Sequence, residues 1–366
     1  MKFRAAVLRQ PGTPLTIETI EATRLQPDDV LVKVAAAGLC HTDLEVIEGQ
    51  LVYPMPIVLG HETAGTIEDV GSAVDRKRIG ERVVLSWNPH CGHCFHCERD
   101  QPILCDSYIG HGPQAVQIDG TTRLTLNGEA LRTMFYIAGF AEYAIVTSAC
   151  AIAMPADMPL DRACLIGCGV MTGVGAALNI AQLGYGESVM VIGCGAVGLS
   201  AVQGARMAGA GTIVAVDRNR ERLAMARTMG ATHTAAVPDE DAVAVAKGAT
   251  QGRGVDCVLE SAGNGPAFRL SAEACRTGGQ IVWLGKTGVN EDVSFRWGSL
   301  MGEKRIVRSS YGGARPNRDF PMLAKAYLAG KLDLDSYVTA RIGLGDINQG
   351  FADLKAGKGI RSVIRF

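Results

Sequence analysis

His61 stands in Leu59-Gly60-His61-Glu62-Thr63-Ala64-Gly65, Cys40 in Gly38-Leu39-Cys40-His41-Thr42-Asp43, and Cys168 in Leu165-Ile166-Gly167-Cys168-Gly169. Two thiolates and one imidazole can hold zinc and leave its fourth position open, which is how a catalytic rather than a structural zinc is bound. Such a metal is a Lewis acid: it lowers the pKa of a bound hydroxyl and, in reverse, polarises a carbonyl. Taken singly, each residue is better read as a packed histidine or a core thiol. Two further constellations in the same chain change that balance. Asp43 is a candidate partner for the free ring nitrogen of His61. Glu62, next to a ligand, could join the surroundings of the metal; its plainer role is a loop carboxylate.

The second constellation is Cys91-Gly92-His93-Cys94-Phe95-His96-Cys97, with Cys105 eight residues further on. Four thiolates at such spacing close a tetrahedral shell and leave no position for a substrate. Cys91, Cys94, Cys97 and Cys105 are therefore expected to bind a structural zinc that pins a loop, with His93 and His96 as solvent-facing spacers.

The third is Val191-Ile192-Gly193-Cys194-Gly195-Ala196-Val197-Gly198-Leu199, which follows a strand pattern and opens a helical one, as a dinucleotide fingerprint requires. Gly193 would make the tight turn, Gly195 would let the backbone approach a pyrophosphate, and Gly198 would allow close packing of helix on strand, with Val197 beside the cofactor in the same turn. The phosphates would sit at the positive end of the helix. In a chain with 45 glycines a chance match is plausible, and Asp217 decides against it. It ends the next strand at the distance needed to bind two ribose hydroxyls. A carboxylate there repels a 2'-phosphate, so NAD is expected rather than NADP. Arg218, the counter-signal, weighs less, because the carboxylate would have to move before a phosphate could enter.

These residues need elements to position them. A chain of 366 residues exceeds one ordinary core, so two domains are expected, and a hydrophobic share of 47% can build both. The formal net charge of -1 and the absence of like-charge blocks remove the footprint of a nucleic-acid or membrane-surface binder. Met1 to Leu8 carries charge within its apolar run and reads as a strand rather than a signal peptide. No stretch approaches the roughly 20 apolar residues of a membrane span. A cytoplasmic protein is expected, in which eleven cysteines point to metal before disulfides.

Residues 1 to about 150 read as a partly closed all-β unit, with strands at Leu15 to Ile20, Val30 to Val34, Thr63 to Val70 and Arg82 to Ser86. Gly112 to Phe140, with turns at Asp119-Gly120 and Asn127-Gly128, reads as a surface excursion with a hairpin. From about Asp161 helical and strand patterns alternate: a helix over Leu165 to Leu183, a strand Ser188 to Ile192, a helix Ala196 to Met207, a strand Thr212 to Val216, and a helix Arg220 to Met229 closed by Gly230. Strands at Val255 to Leu259 and Gln280 to Leu284 extend the series. This predicts a doubly wound parallel sheet. The tail, with helices at Phe320 to Leu328 and Ile347 to Lys355 and a strand from Arg361 to Phe366, is expected to return to the first domain.

With these residues read, the chain resembles the zinc-containing alcohol dehydrogenases of the medium-chain dehydrogenase/reductase superfamily over essentially its full length. The resemblance rests on Gly60-His61-Glu62, the four-cysteine loop, Leu165 to Gly169, the glycine loop with Asp217, and Gly359-Ile360-Arg361. Alcohol dehydrogenase is itself the general example of a zinc held by two cysteines and one histidine. The resemblance implies an α/β two-domain protein: a GroES-like, β-rich catalytic domain over 1–160 and 311–366 with both zinc sites, and a Rossmann NAD-binding domain over 161–310. It implies that Thr42 accepts the alcohol proton, that His41 and Arg361 approach the pyrophosphate, that Arg222 lies near the adenosine ribose and Thr172 by the nicotinamide. It also implies that Leu51, Trp87, Met134 and Phe135 line the substrate pocket, although core packing explains each equally well. Many relatives carry a relay histidine five residues after the first zinc cysteine. Here that position is Glu45, and a carboxylate can do the same general-base work.

The long segment before Phe140 resembles the dimeric branch, so a homodimer is expected, with a tetramer left open. The reading is an NAD-dependent enzyme that interconverts a primary alcohol, medium-chain or aryl, and its aldehyde. Two alternatives stand: a formaldehyde dehydrogenase acting on a thiol adduct, for which no basic pocket group is a clear candidate, and a non-catalytic NAD-binding zinc scaffold.

Overall fold

The computed structural model describes all 366 residues. The chain forms two compact units: Met1–Cys168 together with Arg315–Phe366, and Gly169–Ala314.

In the first unit the strands Lys2–Leu8, Thr16–Ala22, Leu124–Leu126, Glu129–Thr133 and Ile57–Val58 close into a barrel. Phe3, Ala5 and Val7 alternate inward and meet Ile20, Val58, Leu124 and Leu131. The hairpin loop Asn127-Gly128 has φ of 52° and 85°, the paired positive angles of a tight two-residue turn. Gly112 to Phe140 is thus not the surface excursion that its turns suggested. It supplies two barrel strands, and Val116, Gln117, Met134, Ile137 and Phe140 are buried. Turn residues announce reversals of the chain but carry no information about depth.

The unit's second sheet has seven strands, with Ala151–Ala153, Arg82–Leu85, Glu62–Val70, Asp29–Gly38, Arg361–Arg365 and Val338–Ile342 as successive neighbours and Tyr143–Thr147 also on Asp29–Gly38. The tail does return: Val363 pairs with Gly38 and Ile364 with Ala37, antiparallel. Gly38 also pairs with Glu62. One strand end therefore carries Cys40, His61 and Arg361 toward a common point.

The second unit is a six-stranded sheet, all parallel, in the order His233–Ala236, Thr212–Asp217, Ser188–Ile192, Val255–Glu260, Cys275–Trp283, Arg305–Arg308. Numbered by sequence this is 3-2-1-4-5-6, the doubly wound order. Val189 to Ile192 and Ile213 to Val216 are buried as continuous apolar runs, because helices cover both faces. Helices Ala196–Ala208 and Arg220–Met229 follow the first two strands, and Gly230 closes the second. The strand His233–Ala236 and the helices Ala242–Ala249 and Gly265–Ala274 were not legible from pattern. Ala242 to Val245 alternates like a strand, and the caps decide it. Asp241 accepts from the N–H groups of Val243 and Ala244, and Asn264 from Ala267.

One continuous helix, Leu160–Ile180, starts five residues earlier than the pattern indicated and carries the chain from the first unit into the second. Its 21 residues are long and apolar enough to cross a membrane, contrary to the expectation that no stretch reaches that length. Of its most apolar stretch 72% is buried, as in a core helix. Two π-helical turns, Ile166–Val170 and Ala176–Ile180, interrupt it, and Cys168 lies in the first.

The two sheets of the first unit share a buried ion pair. Arg123, just before the barrel strand Leu124–Leu126, donates to Asp29 of Asp29–Gly38 at 2.6 and 3.3 Å, and to Asp119 at 2.7 Å. Arg123→Met would leave the 1%-exposed carboxylate of Asp29 without its cation. A loss of about 3–5 kcal/mol in unfolding free energy is expected by urea titration, against less than about 1 kcal/mol for a surface ion pair.

Candidate active site

Cys40 ends the loop after Asp29–Gly38 and caps the helix His41–Ile47. The Asp43 side chain, fully buried, accepts from Cys40 N at 3.3 Å, Gly60 N at 3.0 Å and His61 Nδ1 at 3.2 Å. A carboxylate only accepts, so Nδ1 carries the proton and the lone pair falls on Nε2. That nitrogen is buried with no hydrogen-bond partner. Sγ of Cys40, a ring nitrogen of His61 and Sγ of Cys168 lie within 4.8 Å of one another. A buried, unpartnered imidazole nitrogen facing two thiols is the donor set a zinc ion satisfies.

The electrostatics agree. A hydrogen bond from Cys168, aided by the charges of His61 and Arg361, holds the Cys40 thiol well below its ordinary range despite burial. The same bond and burial push Cys168 up. Glu62 does not face the metal set as a further ligand but is clamped by Arg361, whose Nε and Nη2 donate to its two oxygens at 3.1 and 3.2 Å. Burial pushes the Glu62 carboxyl up to about 7, with the Arg361 charge pulling the other way. Arg361, expected near a pyrophosphate, turns inward, with Nη2 also 3.9 Å from Cys40 Sγ.

Thr42 and Glu45 are half-buried on the helix after Cys40, three residues apart and so on one face, while His41 is exposed at its start. Phe135 has φ 49° and ψ 38°, and its ring stands edge-on to His61 at 5.4 Å and tilted to Trp87 at 5.2 Å. Tyr53 meets Phe135 at 6.2 Å and Tyr108 meets Trp87 at 6.1 Å. Those two tyrosines were missed by sequence reasoning: Tyr53 lies on an irregular segment and Tyr108 on a helix of only six residues, Asp106–His111, too short to show a period. Leu51 is half-buried against the same cluster. Met134, read from sequence as a pocket residue, is fully buried in the core and offers no surface to a ligand.

Cys91, Cys94, Cys97 and Cys105 converge, with Cys91–Cys97 sulfurs 4.0 Å apart and Cys94–Cys105 sulfurs 3.9 Å. A zinc–sulfur bond of about 2.3 Å makes the edge of a sulfur tetrahedron about 3.8 Å, so the four fit a closed zinc shell. The backbone N–H of His93 holds the Cys91 thiol down to about 6. His93 is exposed with Nδ1 on the Cys91 carbonyl, and His96 faces Gln101; neither joins the cluster.

In the second unit Gly193 turns with φ +86°, its N–H donating to the Val216 carbonyl at 2.8 Å. A Cβ on Gly198 would meet the Gly193 carbonyl at 1.7 Å, whereas one on Gly195 would meet nothing within 4 Å. The first glycine is demanded by packing inside the protein; the second faces open space that a side chain would fill, at the start of the helix Ala196–Ala208, where Val197 follows. This is the cradle a pyrophosphate needs. Asp217 accepts from Cys194 N at 2.6 Å and Asn219 N at 2.7 Å, which locks its carboxylate beside the loop. Arg222 is half-buried one turn into the next helix, Arg218 is exposed, and Thr172 is half-buried on the long helix.

Comparison with known proteins bears on the same residues. Residues 26–156 match the family described as alcohol dehydrogenase GroES-like domain, and 196–329 the family described as zinc-binding dehydrogenase. The chain is 36% identical to an alcohol dehydrogenase class-3 of Myxine glutinosa over 99% of its length and 97% of the relative. It is 35% identical to an S-(hydroxymethyl)glutathione dehydrogenase of Synechocystis sp., both chains being covered in full. The crystal structure of benzyl alcohol dehydrogenase from Acinetobacter calcoaceticus superimposes with a TM-score of 0.94 at 32% identity, covering 100% of this chain and 99% of the other. The chain belongs to the zinc-containing, NAD-dependent alcohol dehydrogenases of the medium-chain dehydrogenase/reductase superfamily.

Proposed function

We propose that this enzyme interconverts a primary alcohol, medium-chain or aryl, and its aldehyde. The observation that carries the reading is the aromatic wall of Tyr53, Trp87, Tyr108 and Phe135, with the Phe135 ring edge-on to His61. Such a surface beside a metal-ligating imidazole rewards a substrate that covers it, and ethanol leaves it bare. The likeness to benzyl alcohol dehydrogenase supports the same reading.

Cys40, His61 and Cys168 would hold the zinc, which when bound supplies a Lewis acid for the hydroxyl oxygen. Thr42 would accept the hydroxyl proton, and Glu45, on the same helix face, would pass it to solvent as a general base. The loop from Gly193 to Gly198 would hold the pyrophosphate, Asp217 and Arg222 the adenosine ribose, and His41 and Thr172 would border the dinucleotide. Asp217, already fixed by two backbone N–H groups, would meet a 2'-phosphate as a like charge, which favours NAD over NADP. Arg361 would steady Glu62 and the Cys40 thiolate.

A thiol-adduct substrate has the curated relative in its favour. It would also need a cation to hold the adduct's carboxylates, and Leu51, Tyr53, Trp87, Tyr108 and Phe135 provide none. A homodimer is supported by the last strand of the parallel sheet, Arg305–Arg308, whose four residues are all exposed. Its outer edge offers unpaired backbone groups, Ile306 and Val307 are apolar, and Trp297 and Met301 are 83% and 62% exposed.

Three outcomes are expected. Following NADH absorbance, kcat/KM for benzyl and medium-chain alcohols exceeds that for ethanol by at least about tenfold, and Phe135→Ala narrows the ratio; equal turnover of ethanol, or faster turnover of S-(hydroxymethyl)glutathione than of benzyl alcohol, would reject the reading. Glu45→Ala lowers kcat about tenfold near neutral pH and recovers with added imidazole, whereas a loss indifferent to buffer base removes Glu45 from the relay. In sedimentation the protein runs as two chains and as one when Ile306 and Val307 are both replaced by lysine; an unaltered dimer would place the interface elsewhere.

A further inference from the structure

Glu260 ends the fourth strand by sequence, Val255–Glu260, at the carboxyl edge where a doubly wound sheet receives its ligand. Its side chain is completely buried in an otherwise apolar strand end, a costly place for a carboxylate unless it has work there. One oxygen, Oε1, accepts from the backbone N–H groups of Ala262 at 2.7 Å and Gly263 at 2.8 Å. Its backbone carbonyl accepts from Leu284 N at 2.7 Å and Gly285 N at 2.9 Å. The other oxygen, Oε2, is buried without a hydrogen-bond partner, and a Cβ on Gly285 would lie 2.6 Å from it. Its carboxylate thus grips the loop after the fourth strand, while its backbone carbonyl meets the loop after the fifth.

The first of those loops reaches the cofactor cradle. Ser261 Oγ donates toward the carbonyls of Gly193 at 2.9 Å and Ile192 at 3.0 Å, and a Cβ on Gly193 would stand 3.0 Å from Ala262 N. In the sheet order 3-2-1-4-5-6 the reversal falls between Ser188–Ile192 and Val255–Glu260. Asp217, on the second strand, marks the adenosine side, so the other mononucleotide half lies over the fourth and fifth strands. The loops Glu260 holds are the ones that border it.

We propose that Glu260 is a positioning residue for the nicotinamide half of the dinucleotide, its carboxylate acting through the Ser261–Gly263 loop that it holds. The proposal rests on the dinucleotide site and not on which alcohol is used. Burial pushes the carboxyl up while the N–H groups of Gly263 and Ala262 pull it down, in keeping with an anion held by backbone donors.

The test separates the two halves of the cofactor. Binding of NADH and of AMP is measured by calorimetry on zinc-loaded wild type, Glu260→Ala and Glu260→Gln, with no alcohol present. Glu260→Ala is expected to weaken NADH about tenfold and AMP by less than about twofold, since the loss falls on one or two charge-assisted bonds remote from the adenosine. Glu260→Gln keeps one acceptor oxygen and is expected to recover most of the affinity, with a residual loss of about threefold confined to NADH. Should Glu260→Ala not fold, the glutamine variant carries the test alone. NADH affinity equal to wild type in the variants that fold, or equal losses for NADH and AMP, would overturn the proposal and leave Glu260 as part of the fold only.

Discussion

The buried carboxylate of Asp43 is the interaction on which the catalytic site depends. It accepts from two backbone amides and one ring nitrogen, drawn from segments around Cys40 and Gly60, and so fixes Cys40, Gly60 and His61 in one rigid arrangement. An ion this deep is tolerated only when hydrogen-bonded on most sides, which makes the arrangement close to all-or-none. Its chemical consequence is the tautomer of His61. With Nδ1 committed to Asp43, Nε2 is the only ring nitrogen left to bind a metal, and it has no competing protein partner.

The charges around that point explain the rest of the shell. Cys40, Cys168, Asp43 and Glu62 are four acids in a space from which water is largely excluded, and Arg361 is the cation placed against them. One guanidinium offsets one charge. The Cys40 hydrogen bond and burial push Cys168 up, burial pushes Glu62 up, and a divalent cation beside them would favour the charged forms. Arg361 can stand there only because the tail strand pairs with Asp29–Gly38, so the last residues of the chain belong to the electrostatics of the site as much as to the sheet.

How much of this was legible in the sequence depended on whether the signal was local. The glycine loop, the four cysteines and the strand Ser188–Ile192 each announce themselves within a few residues, and so does Gly230, which closes the helix Arg220–Met229. Gln117 and Phe140 were obscured because a turn-rich stretch looks solvent-facing, while their burial comes from barrel closure between strands far apart in sequence. Ala242–Ala249 was hidden by an Ala/Val alternation with the wrong period, overruled by one capping aspartate. Tyr53 and Tyr108 could not be found at all: an irregular segment and a helix of six residues, Asp106–His111, show no period, and only the folded chain brings the two rings to the wall.

The wall itself shows how packing and function are joined. Met134 and Tyr136 are buried on either side of Phe135, and a regular strand through all three would alternate Phe135 away to the opposite face. The chain instead adopts positive φ at Phe135, Tyr136 and Ala138, at a cost of roughly 1–2 kcal/mol for each non-glycine residue so placed. The two buried neighbours, with Tyr136 also bonded through its hydroxyl to the Tyr108 carbonyl at 2.7 Å, anchor that conformation from both ends. What the strain achieves is the aim of one ring: Phe135 leaves the core, half-exposed, and touches both Trp87 and the metal-facing imidazole. Substrate shape and metal geometry therefore meet at a residue whose backbone is held where it would not settle alone.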